Sequence, residues 1–112
     1  MKPGDAIYVH VPREAFLKAC AELKEKWRKW QFTTVDLTYR THLTITSGAG
    51  ALTIPARASL PAAATLTARN FLKLYNNLPK TNAAELTIAF LPVQKQLVLG
   101  TTRAKASAVF TG

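Results

Sequence analysis

At 112 residues the chain has room for one domain with a substantial core and too little length for two of ordinary size. Hydrophobic residues make up 48% of it, which excludes a mostly disordered tail. Fifteen Lys and Arg against six Asp and Glu leave a formal charge of +9, a balance that favours a polyanionic partner, either nucleic acid or an anionic surface.

The single cysteine, Cys20, has no partner for an internal disulfide and fits a reducing compartment. The segment Met1-Lys2-Pro3-Gly4-Asp5 lacks the apolar region of a signal peptide. No later run approaches the roughly 18 apolar residues a membrane span needs. The chain therefore reads as a soluble, cytoplasmic protein without a membrane partner.

Residues 6–11 are β-prone, with Ile7, Val9 and Val11 on one face. Pro12 suits the first turn of a helix, where its missing N–H costs nothing. From Arg13 to about Trp30, the residues Phe16, Cys20, Leu23, Trp27 and Trp30 recur at spacings of four and three, so they form the apolar stripe of a helix. Cys20 on that stripe reads as a small buried hydrophobe rather than a nucleophile. Opposite lie Glu14, Lys18, Glu22, Glu25, Lys26 and Lys29. The i,i+4 pairs Glu14–Lys18, Glu22–Lys26 and Glu25–Lys29 each add roughly 0.2–0.5 kcal/mol of helix stability.

Across residues 32–46, Val35, Leu37 and Tyr39 alternate with Thr34, Asp36, Thr38 and Arg40, a half-buried strand pattern with a turn or crossing near His42. Leu43 and Ile45 then face Leu52 and Ile54 across Ser47-Gly48-Ala49-Gly50, a hairpin connection. Pro55 limits how centrally this strand lies, and the Ala-rich stretch 56–64 reads as a strand plus a connection. A second helix starts after Thr65 or Thr67, either of which can cap it, and ends near Leu78 before Pro79. Its apolar stripe is Ala68, Phe71, Leu74, Tyr75 and Leu78; its outer face is Arg69, Asn70, Lys73, Asn76 and Asn77, with no acid. Leu86, Ile88 and Phe90 mark the next strand, 91–95 a turn and 96–99 its return, and 103–110 is expected to form a single last strand.

The segment from Val9 to Lys18 is echoed 55 residues later by that from Ala64 to Lys73. Each passes from a β-prone run into a helix carrying Phe-Leu-Lys, and Leu23 and Leu78 keep the register. The offset is about half the chain. The expected plan is an α+β domain of two β-α-β-β-β halves, about 1–60 and 61–112, with two amphipathic helices packed on antiparallel sheet.

Two such units in about 110 residues, each helix basic outside, resemble a single domain of the DNA sliding clamps, the polymerase processivity factors. The run Leu66-Thr67-Ala68-Arg69-Asn70-Phe71-Leu72-Lys73-Leu74, followed by a hairpin ending Leu97-Val98-Leu99-Gly100-Thr101, is similar to the helix-and-hairpin portion of a bacterial clamp domain. The resemblance implies sheets outside a ring and helices lining its hole. It also implies nonspecific double-stranded DNA as a partner, self-association into a homo-oligomer, and a polymerase or other peptide-motif partner. Phosphate contacts release counterions without reading bases, so a duplex is held yet free to slide. Mapped onto this chain, Arg69 and Lys73, with Lys80 nearby, are the cleanest phosphate contacts; Lys18 and Lys29, with Arg28 beside them, are counterparts from the first helix. Members of the family join two or three such domains per chain. This chain supplies one, so a ring of six domains needs six copies, paired through an edge such as 103–110.

Two other functions fit the same residues. One is a protein-interaction module with a clamp-like fold that takes peptides in an apolar groove. The other is a monomeric domain binding RNA or single strands through Trp30 and the surrounding Lys24, Lys26, Arg28 and Lys29. Trp27 and Trp30 continue the apolar stripe, so core packing is the stronger reading for both, with Trp30 the more exposed. His10, His42 and Cys20 have no metal-ligand spacing, and no nucleophile motif accompanies them. Ser47-Gly48-Ala49-Gly50 lacks the Gly-Lys-Ser/Thr ending of a phosphate loop. The chain reads as non-enzymatic, with no catalytic residue, metal or cofactor.

Overall fold

A computed structural model of the chain describes residues 5–78 and 83–111. β1 (Ile7–Pro12) leads into α1 (Arg13–Trp30), followed by β2 (Thr34–Tyr39), β3 (His42–Ser47) and β4 (Gly50–Pro55). The same order recurs in β5 (Ala62–Thr67), α2 (Ala68–Asn76), β6 (Glu85–Leu91), β7 (Gln96–Leu99) and β8 (Thr102–Lys105), and a short β9 (Ala108–Thr111) follows. The protein is α+β.

Local sequence explains most of these elements. In β2 the period-two pattern buries Val35, Leu37 and Tyr39 and exposes the polar residues between them. α1 buries Phe16, Ala19, Cys20 and Leu23, and Pro12 stands at its N-cap. Gln31 ends α1 in the left-handed region (φ 50°, ψ 41°) and donates its N–H to the Trp27 carbonyl at 2.8 Å. Thr67 caps α2, its hydroxyl accepting from the Asn70 N–H at 3.1 Å. The β3–β4 hairpin closes between Ser47 and Gly50, with Gly50 at φ 126°.

The strands form two antiparallel sheets rather than one, in the orders β1-β6-β7-β8 and β4-β3-β2-β5-β9. Each half therefore gives its first strand to the other half's sheet. β1 lies against β6 with Ile7 opposite Phe90; β5 lies against β2 with Ala62 opposite Tyr39. Leu43 and Ile54 of the first half face each other as Leu97 and Ala104 do in the second, and all four are buried. The two helices form a layer in which α1 packs on β1 and β4, α2 packs on β5 and β8, and each touches the other. Phe16 and Phe71, the repeated phenylalanines, meet edge to face with ring centroids 6.4 Å apart, and both are fully buried.

Three expectations change. Residues 103–110 are two strands in different sheets: the chain leaves β8 at Ala106, whose N–H bonds the Lys95 carbonyl, and Ser107 then donates its N–H to the Thr65 carbonyl beside β5. In 56–64 the strand begins only at Ala62, because the preceding residues cross between sheets. Trp27 is half-buried and Trp30 is 68% exposed, since the last turn of α1 projects past the residues it packs on.

Replacing Phe16 or Phe71 by Leu should cost about 1 kcal/mol or somewhat more. The double variant should fall short of the sum by about 0.5–1.5 kcal/mol, the value of an aromatic pair. Urea unfolding of the four proteins measures this; strict additivity would mean the two rings act independently.

Candidate nucleic-acid interface

The two helices carry eight Lys and Arg (Arg13, Lys18, Lys24, Lys26, Arg28, Lys29, Arg69, Lys73) against three Glu, and so five of the nine net charges. The acids all belong to α1. Glu22 pairs with Lys26 at 3.4 Å, whereas Glu25 turns to Arg28 at 3.8 Å instead of the expected Lys29. Glu14 and Lys18 form no ion pair among the described residues. On α2, Arg69 and Lys73 are exposed and likewise unpaired among the described residues.

The α1–α2 seam holds a further cation, Lys24. Lys24 donates from Nζ to Asn76 Oδ1 at 3.4 Å and stands 5.8 Å from the centre of the Tyr75 ring. Its sequence signal is the lack of any acid three or four residues away on α1. Toward the other end of α2, between the last turn of α1 and the first of α2, lies a groove of about 490 Å³ lined by Trp27, Arg28, Phe32 and Arg69. The left-handed Gln31 produces this arrangement: the chain reverses after Trp30, buries Phe32, and places the Thr33 carbonyl where it accepts the Ala68 N–H at 2.9 Å.

Arg28 and Arg69 are thus brought to one groove, with Lys73 one turn further along the same helix as Arg69. Lys18 is not part of this grouping. It lies with Glu22 on the opposite flank of α1, against Leu52 and Pro55 of β4. Lys29 borders Lys26 and Glu25 on the outer side of α1. Lys80 lies outside the described residues. Cys20 is fully buried, and burial pushes its thiol up, far from thiolate chemistry at neutral pH. Among the described residues no helix is long and apolar enough to cross a membrane, and no three His, Cys, Asp or Glu gather to hold a metal.

The other concentration of charge is on the sheet side. Arg57 follows β4 and forms a single bridge to β1, exchanging backbone hydrogen bonds with His10 at 2.9 and 3.0 Å. Its guanidinium then grips Glu85 of β6 through two bonds, of 2.7 and 3.3 Å. This hydrogen bonding, reinforced by the charges of Arg57 and His10, holds the Glu85 carboxyl below the usual carboxylate range despite some desolvation.

No protein-family model, curated protein or solved structure matches this chain.

Because the folded carboxyl of Glu85 is depressed, its contribution is present above the ordinary carboxylate value, about 4.3, and fades as pH falls through the lower folded value. A carboxyl NMR titration should place Glu85 below about 4.3 in the intact protein. Arg57→Ala should bring it back up; an unchanged midpoint would mean that Arg57 does not govern it.

Proposed function

We propose that this chain is a sliding-clamp-like domain that binds duplex DNA without sequence preference through the outer surface of α1 and α2, and that it self-associates edge to edge. The observation that carries the reading is the acid-free cationic face of α2, where Arg69 and Lys73 are exposed and make no ion pair among the described residues, with Arg28 of α1 sharing a groove with Arg69 and Lys24 of α1 bonding Asn76. Cations on an exposed helical surface suit phosphate contact, which supplies affinity without sequence information. The internal duplication, with helices on one side and sheets on the other, supports the clamp comparison. β8 ends one sheet and β4 ends the other, so copies could continue both sheets by pairing β8 of one with β4 of the next. A polymerase or another peptide-bearing protein is the partner this reading implies.

Anisotropy titrations of a labelled blunt duplex should show binding that weakens steeply with salt and is indifferent to sequence. Arg69→Gln and Lys73→Gln should each lower the slope of log affinity against log salt by about 1, uniformly across sequences. Arg69→Glu with Lys73→Glu should abolish binding while leaving the circular dichroism unchanged. No affinity for duplex at low salt would sink the DNA reading, and a concentration-independent monomer in sedimentation would sink self-association.

A further inference from the structure

The groove at the α1–α2 junction has a chemistry that duplex phosphates do not need. Half-buried Trp27 supplies aromatic surface over a floor formed by the buried Phe32, Arg28 and Arg69 supply guanidinium groups at the margins, and no carboxylate of the described residues lines it. Trp27 is half-exposed here although its helical stripe points to the core. Phe32 is held from behind by the β3–β4 hairpin, where a Cβ on Gly48 would stand 3.0 Å from the Phe32 Cβ. The aromatic lining is therefore built into the fold, and a side chain at position 48 would press upon it.

We infer that this groove takes an unpaired nucleobase, so that the protein binds a duplex carrying a single-stranded overhang more tightly than a blunt one. A base is flat and apolar and carries a phosphate on either side. Aromatic rings stack on its faces, and arginine both stacks on bases and binds phosphate. Gln31 and Thr33, also at the groove, offer polar groups to a base edge. A peptide fits less well: α1 and α2 flank the groove, so no open strand edge is available to pair with its backbone. The inference takes its ligand class from the duplex-binding reading and adds the single-stranded segment and the residues that hold it.

The test separates the two. In Trp30→Phe, Trp27 is the only tryptophan of the two in the chain. Oligothymidylate of about twelve nucleotides should quench Trp27 emission saturably, and a blunt duplex should leave it nearly unchanged. By anisotropy, an overhang duplex should bind roughly ten-fold more tightly than the blunt one. Trp27→Leu, checked for folding by circular dichroism, should bring that ratio close to one while blunt-duplex affinity holds. Equal affinity for both duplexes with no quenching by oligothymidylate overturns the inference and leaves duplex binding standing. Loss of binding to every probe overturns both. Quenching by deca-glutamate but not by oligothymidylate assigns the groove to an acidic peptide and overturns the inference.

Discussion

The edge-to-face contact between Phe16 and Phe71 is the point on which the two halves turn. Each phenylalanine belongs to the buried stripe of its own helix, and the two helices sit over sheets that neither half completes alone. β1 belongs to the sheet of the second half and β5 to that of the first. Removing either half would strip strands from both sheets and leave one ring of the pair without its partner. Neither half can close its own core, so the duplication that makes the sequence legible also makes its products inseparable. Buried aromatic pairs suit such a junction because they combine large apolar area with a preferred geometry.

From that shared centre the halves diverge, and the candidate binding surface lies where they differ. α1 runs from Arg13 to Trp30, twice the length of α2. Its additional turns set Lys24 against Tyr75 and Asn76 at the end of α2 and carry Trp27 and Arg28 toward its start, while Gln31 folds the chain back to seat Phe32. On the sheet side the asymmetry runs the other way. β9 adds a full edge strand to β5, whereas the corresponding place beside β1 holds, among the described residues, the Arg57 bridge, made by two backbone hydrogen bonds to His10 while the guanidinium grips Glu85.

The local pattern was readable because it depends on near neighbours. Alternation in 34–39 and 85–91, the stripe of α1 and the Thr67 cap all follow from residues a few positions apart. Pairing across sheets depends on residues far apart, and nothing near Ile7 indicates that its opposite number is Phe90. The split of 103–110 was hidden for a related reason. No glycine or proline marks Ala106 and Ser107, and the crossing is held by contacts to Lys95 and Thr65. Among site residues, the unpaired face of α2 was visible as an absence of acids. The groove was not, since an apolar spacing of three and four cannot distinguish a buried Trp27 from one left half-open at a helix junction.

The glutamates of α1 do not exclude that helix from the proposed binding role. The Glu25–Arg28 pair is long, at 3.8 Å, and both side chains are mostly exposed. Exposed pairs of this kind contribute about 0–1 kcal/mol and are screened by salt. An incoming phosphate offers Arg28 an equivalent partner together with counterion release, so exchange costs little. The glutamates instead weaken the field of α1 locally, within a Debye length of about 8 Å at physiological salt. Arg69 and Lys73 have no such neighbour on their own helix. Under the proposed DNA-binding role, α2 would therefore set the affinity for an anion, and α1 would add a cation able to change partners beside an aromatic groove.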